Sequence, residues 1–455
     1  MTILRKGLES VLSITILILI IACHELLPVV LILWTLLALI CLRYPRLAIE
    51  PVFFFGSFFM GVGFFQNPLL TVKHFHLGLA ILLLVRLMRW KALLWKVKEN
   101  WRPARVLIFW IILVALSTFS AWRIGGEWFT QGLRTNGNLF LTVICTGLLT
   151  ILITPGEAMR GLGFLALGTL VRTFFGVLTQ CQVPGPYFKE VILYNNHLGF
   201  YCSLALVCML SFIPVATNRV IKRYSCVGFC FLFYALLLTC SRAGYISFFG
   251  GLISFAMIQR WLRKNDFAGS KRRSIWFILC SVCFGSVVIL VVAGYLFPEE
   301  FFFPTISSRL WMTLIIFIPG YWHRFHKENF FFLGQYRLNQ FHALSEIMKQ
   351  HSILGIGLVR RVTDFHSLYF TLLGGIGLVG LLTFLVFCVS WMRQVFHAMV
   401  PDDEKGNLFR TAASSCMVVW LFYSFTESFF LFFNIWVIIA AGIALSKKCD
   451  VQTEV

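Results

Sequence analysis

Arginine and histidine recur at the ends of long apolar runs, and those residue types carry phosphate and proton chemistry. Four groups stand out: Tyr194-Asn195-Asn196-His197 where one run begins, Ser241-Arg242-Ala243-Gly244 between two runs, Arg337 in a long polar segment, and His366-Ser367 at the next run. A guanidinium presents a fork of donors matched to phosphate oxygens. An imidazole, with an unperturbed pKa of about 6.5, can accept a proton from a hydroxyl at neutral pH. Two guanidiniums facing one histidine would therefore grip a phosphorylated lipid and activate an alcohol. Singly, each residue has a plainer role. An arginine at a span end snorkels to lipid headgroups, which suffices for Arg242 alone and more so for Arg360 and Arg361. An isolated His366 reads as structural, and Asp364 either orients it or is simply solvated. The grouping of all four at one membrane level gives the chemical reading its weight.

The elements that must position them are membrane spans. The chain has 455 residues, 59% of them hydrophobic, and its mean hydropathy is +0.84. Fourteen apolar runs approach the roughly 20 residues needed to cross a hydrocarbon core. They lie at 8–23, 26–42, 51–66, 71–88, 104–122, 138–154, 160–181, 192–214, 225–241, 243–260, 275–297, 367–392, 407–424 and 429–446. The first two are short, so the expectation is an all-α polytopic protein of 12 to 14 transmembrane helices in one domain, residues 1–455. A barrel would need short alternating strands that the sequence lacks. The basic start and apolar run at the N-terminus pass through Cys23-His24-Glu25 straight into another run, which reads as an uncleaved first helix.

The formal charge of +20 tracks the loops. Most of the 39 Lys and Arg residues fall on one side if the spans alternate, including Arg43, Arg46, Arg86, Arg160, Arg219, Arg410 and Lys447. The positive-inside rule makes that side the cytoplasm, with both termini in it, and makes nucleic acid an unnecessary partner. The fourteen cysteines fall mostly in the spans, so no disulfide framework is expected, and Cys280 with Cys283 reads as two small apolar side chains.

One long loop, residues 298–366, precedes the last three spans on the opposite, outer side. Within it, Leu310 to Gly320 is too short to span and reads as a helix on or in the outer leaflet. Leu338, Phe341, Leu344, Ile347 and Met348 recur at helical spacing, predicting a lid helix over Gln335 to Gln350 with Asn339, Gln340, Ser345 and Glu346 on its other face. Arg172 falls inside a span, where a charge costs at least roughly 2.5 to 3.5 kcal/mol unless paired or near water. It is expected to face a cavity, as a phosphate contact or a tether. With Asn195, Asn196, His197, Arg309, Arg360 and Arg361 it forms the candidate substrate-binding set, beside the candidate catalytic set of His366, Arg242 and Arg337. Lys73, His74 and His76 read as headgroup anchors, and the patch of Trp322, His323, Arg324, His326 and Lys327 as a lipid-phosphate or sugar contact or interfacial anchoring.

These residues also carry a resemblance. The stretch Arg337 to Gly357, RLNQFHALSEIMKQHSILGIG, followed by His366-Ser-Leu-Tyr and by Gly374-Gly-Ile-Gly-Leu-Val-Gly380, resembles the late region of the O-antigen ligase and O-antigen polymerase superfamily. Residues 194–201 and 241–245 are similar to two earlier motifs of that family, so the resemblance covers roughly 190–390. Two positions depart from it: His351 stands where the family usually has Pro, and Ser367 where it has Asn. Those departures leave ligase, polymerase and protein-glycosylating members open. The resemblance implies a metal-independent, cofactor-free glycosyltransferase at the outer face of a bacterial inner membrane. Such an enzyme passes a glycan from undecaprenyl pyrophosphate to an acceptor hydroxyl, here expected to be a lipid A-core sugar. It implies that Arg242 and Arg337 hold the pyrophosphate and that His366 is the general base. A polymerase would extend a second lipid-linked unit instead. A lipid-linked sugar transporter or flippase is expected to show two similar halves and charged or broken helices at mid-membrane; here no repeat is visible, and the four polar groups stand at the outer edge.

Overall fold

The computed structural model describes residues 2–23, 26–56, 63–66, 71–88, 101–180, 196–216, 218–239, 241–264, 329–359, 365, 367–400, 403–425 and 433–447. Nearly all of these are helical, giving an all-α membrane protein. In chain order the helices are α1 Thr2–Ala22, α2 Leu27–Arg43, α3 Ile49–Gly56, α4 His74–Leu87, α5 Ile108–Ile124, α6 Gly126–Leu152, α7 Pro155–Gln180 and α8 Asn196–Val215. There follow α9 Arg219–Leu238, α10 Arg242–Lys264, α11 Asn329–His351, α12 Leu368–His397, α13 Glu404–Tyr423 and α14 Phe433–Leu445. Among the described residues, 6 helices are long and apolar enough to cross a membrane: α5 with the turn before it, α6, α7, α8, α9 and α12. The predicted run 275–297, the predicted outer-leaflet helix 310–320 and Cys280 with Cys283 lie outside the described residues.

Two boundaries and one residue's role differ from the sequence reading. Within the run 51–66, helix is described as far as Gly56, and Gly63–Gln66 pairs antiparallel with Thr71–Lys73 in a short hairpin (β1, β2). Phe64 and Phe65 suit a strand as well as a lipid-facing helix, so hydropathy alone cannot separate the two. α6 begins at Gly126, a dozen residues before its apolar run, because polar residues such as Gln131 and Arg134 are good helix formers that hydropathy does not count. His74 is no headgroup anchor: it is buried, accepts a hydrogen bond from Trp34 Nε1 at 3.0 Å, and stacks between Trp34 and Phe55.

The bundle has two ends, fixed by polar contacts between termini. At one, Arg410 Nε donates to the Leu445 carbonyl at 2.8 Å and Nη1 to Asp403 at 2.8 Å, while Lys447 Nζ donates to the carbonyls of Thr150 and Ile153. Gln394 Nε2 reaches the Pro103 carbonyl there, and Arg86 pairs with Glu157 and Arg46 with Glu9. This is the basic end. The termini of α5, α8, α10, α12 and α13 that carry the sequence motifs lie at the other.

Between the ends, aromatic side chains knit α5, α12, α13 and α14. Trp110 lies 4.7 Å from Trp436 and 5.5 Å from Phe387, Phe384 lies 5.5 Å from Trp420, and Trp391 Nε1 donates to the Ile439 carbonyl at 3.1 Å. Lipid is no worse a solvent for Leu than a helix surface is, so close approach has to come from shape and small residues. Gly442 supplies one such approach, since a Cβ there would sit 2.1 Å from the Trp391 ring.

Candidate active site

The motif at the start of α8 docks on the motif at the start of α10 through glycines. A Cβ on Gly199 would fall 2.8 Å from Ser241 Cβ, and one on Gly244 would fall 3.2 Å from the Gly199 backbone. Ser203 Oγ donates to the Gly244 carbonyl at 2.9 Å. Ser241 Oγ accepts from the Gly244 N–H at 3.1 Å, a side-chain cap that starts α10 at Arg242. The small residues of both motifs therefore act as positioning devices, and they set Arg242 beside the level of Asn196 and His197.

The α12 start is tied to the same place through α13. Tyr423 Oη donates to the Asn196 carbonyl, and its ring lies 4.6 Å from Phe200. The next residue, Ser424, accepts from the Leu368 N–H at 2.9 Å and from Ser367 Oγ at 3.3 Å. His366 lies outside the described residues, immediately between Phe365 and Ser367, which are described. Arg242 and Arg337 are described by their backbone positions, as the first residue of α10 and within α11. Asn195, Arg309, Arg360, Arg361, Asp364 and the patch 322–327 also lie outside the described residues. Asn196 is exposed and His197 half-buried.

Arg172 enters this region from α7. It is 2% exposed, and its guanidinium carbon sits 4.3 Å above the centre of the Tyr201 ring, about one turn below Asn196 and His197 on α8. A cation over an aromatic face in a desolvated site gains on the order of 2 kcal/mol, which offsets part of the burial cost. Its place is thus against the Tyr201 ring in the protein interior.

α11 forms over Asn329–His351, longer than the helix expected at 335–350. Leu344 and Ile347 bury against Ala121, Ile356, Val359 and Phe365, with Met348 and Phe370 at the edge. Gln340, expected on the outer face, is buried, and Phe341, expected inward, is 55% exposed with its ring 6.4 Å from Phe370. The buried face is therefore rotated by less than a turn from the one read in the sequence.

After α11 the chain passes through exposed Ser352 and Ile353 and is buried from Gly355 to Val359. His351 to Val359 runs as a strap between α5 and a break in α12. Ile356 and Gly357 donate to the Gly374 and Gly375 carbonyls at 3.0 and 2.6 Å, and Leu378 donates to the Ser352 carbonyl at 2.9 Å. From α5, Ser117 Oγ accepts from the Leu358 N–H at 2.9 Å, Ser120 Oγ donates to the Leu354 carbonyl, and Arg123 donates to the Gly355 carbonyl at 3.2 Å. Gly355, Gly357 and Gly377 have φ of 62°, 88° and 72°, values open to glycine but strained for other residues. The segments Ile353 to Gly357 and Gly374 to Gly380 are thus two halves of one packed unit.

Arg123, Tyr423 and Ser424 were not singled out from the sequence. Arg123 also approaches His351 Nδ1 at 3.1 Å, so the histidine standing in place of proline has a partner in the fold. The available signal was their position, polar residues in the last turn of an apolar run. Beside α11, a cavity of about 480 Å³ is lined by Ile124, Trp128, Glu346, Lys349, His351 and Ile356 among others. Among the described residues, no group of three or more His, Cys, Asp or Glu is gathered that could hold a metal ion.

The elements bearing all four motifs therefore converge at one end of the bundle. α8 contacts α10 directly, α13 joins α8 to the α12 start, and α11 lies against α12. No known family model matches the chain, and no curated protein matches it.

Proposed function

We propose that the protein is a membrane glycosyltransferase that moves a glycan from a polyprenyl pyrophosphate to a hydroxyl of a lipid A-core sugar. The observation that carries this reading is the meeting of the α8, α10 and α12 starts, with Arg172 buried just beneath them. In the reaction the acceptor oxygen attacks the anomeric carbon, His366 takes the hydroxyl proton, and the bond from that carbon to the pyrophosphate oxygen breaks. Arg242 and Arg337 neutralise the diphosphate that leaves, and Arg172 adds positive potential from below. One positioned general base contributes roughly 10² to 10⁴ in rate. Donors aimed at the developing charge in a water-poor site contribute a comparable factor. Together these suffice without a metal ion. The site faces the periplasm of a bacterial inner membrane, and Asn195, Asn196, His197, Arg309, Arg360 and Arg361 are assigned to substrate binding.

An O-antigen polymerase would use the same chemistry on a second lipid-linked unit. Reconstitution with lipid-linked glycan and either lipid A-core or a second lipid-linked unit, in the presence of chelator, separates the two. Extension of lipid A-core is the expected result. Extension of the lipid-linked unit alone identifies a polymerase, and transfer to neither acceptor contradicts the proposal.

A further inference from the structure

At the basic end of the bundle, the turn after α2, the end of α4, the end of α8 and the starts of α7 and α13 enclose a cavity of about 570 Å³. Four cations line it, Arg46, Arg86, Arg160 and Lys405, against one carboxylate, Glu157. That carboxylate is already committed: it pairs with Arg86 and caps α7 by accepting from the Thr154 N–H at 3.0 Å. Arg46 is paired with Glu9. Arg160 and Lys405 are exposed and make no hydrogen bond or ion pair among the described residues, Arg160 having only the through-space attraction of the buried Glu50 carboxyl, and Arg86 Nε is buried without a partner. The first turn of α7 adds the positive potential of its N–H groups to the same cavity. Opposite the cations, Phe212 and Phe409 meet edge to face at 6.0 Å and give an apolar wall. An excess of cations beside an apolar wall at a membrane-level helix end suits a phosphate carried by a chain-bearing molecule.

We propose that this cavity is a second site, remote from the motif cluster, that binds an anionic phosphate or diphosphate group. The ligand is either the headgroup of a membrane amphiphile or a soluble phosphate. The test uses purified full-length protein in detergent, with dioleoyl phosphatidic acid, dioleoyl phosphatidylcholine and inorganic pyrophosphate as probes, read by native mass spectrometry and thermal unfolding. Phosphatidic acid is expected to be retained over phosphatidylcholine, with R160Q/K405Q lowering its retention at least about fivefold and R219Q/R223Q, at the same end but outside the cavity, leaving it unchanged. Stabilisation by pyrophosphate that R160Q/K405Q abolishes, without retention of phosphatidic acid, would assign the site to a soluble phosphate. Equal retention of the two lipids without any pyrophosphate effect would overturn the proposal, as would equal loss in both double variants. Arg160 and Lys405 are exposed, so the fold should tolerate their replacement; K405Q alone serves if the double variant does not purify.

Discussion

Buried charge is where single residues speak most clearly in this molecule. Arg172 and Glu50 are both nearly inaccessible, at 2% exposure each, yet their surroundings differ. Arg172 has an aromatic face beneath it. Glu50 lies in the first turn of α3, just before its apolar run, and burial pushes its carboxyl up to about 7, with Ser13, Arg160 and Arg46 pulling it only part of the way back. The ordinary value is 4.5, so between 4.5 and about 7 the folded state holds a proton that the unfolded chain releases. This group's contribution is therefore full below about pH 4.5 and is lost as pH rises through about 7. Between about pH 5 and pH 8, the wild-type thermal midpoint in detergent should decline relative to that of Glu50→Gln, which cannot ionise. Parallel curves would show that Glu50 titrates as an ordinary surface acid.

At the scale of elements, the strap from His351 to Val359 and the break at Gly377 hold the motif-bearing end in register. A Cβ at Gly377 would lie 2.2 Å from the Ile353 carbonyl oxygen, and one at Gly355 would lie 2.5 Å from the Gly375 backbone. Backbone atoms cannot swing aside as a side chain can. Gly377→Ala and Gly355→Ala should each destabilise by about 2 kcal/mol or more, read as a lower thermal midpoint. Gly137, inside α6 with open space around it, is the control: Ala there should be neutral or stabilising by up to about 1 kcal/mol. If both classes behave alike, the strap is not a packed unit. The sequence held half of this. The segments Ile-Leu-Gly-Ile-Gly and Gly-Gly-Ile-Gly stood out as motifs, but glycine clustering does not say what a chain packs against, and nothing local marks two segments twenty residues apart as partners. The α11 helix was legible from its spacing of Leu344, Ile347 and Met348, whereas the burial of Gln340 and the exposure of Phe341 depend on neighbours in space that the spacing does not contain.

For the whole molecule, alternation of apolar runs was enough to anticipate that the motif-bearing termini share one end, because each crossing reverses the chain. It was not enough to anticipate which helices touch, since lipid-facing and helix-facing apolar positions look the same in hydropathy. The α8–α10 contact rests on Gly199 and Gly244, and the link to α12 rests on Tyr423 and Ser424, residues whose roles are set by their neighbours in space. The basic groups that gather at the opposite end predict an orientation. Single cysteines introduced at Glu346 and at Arg219, both exposed, in a cysteine-free background report it directly. A membrane-impermeant maleimide should label the first in spheroplasts and the second only after the membrane is opened. Labelling of both from the outside, or the reverse order, would place the motif cluster on the wrong face for periplasmic transfer.

Glycan transfer by purified protein, followed from a lipid-linked donor to lipid A-core, tests the central claim most directly when wild type is compared with His366→Ala and Arg242→Ala at matched protein level and matched thermal midpoint. Loss of at least roughly a hundredfold in rate in both variants is the predicted result. Wild-type rates in either variant would contradict the proposal that a guanidinium and an imidazole at the shared end of α8, α10 and α12 perform the chemistry.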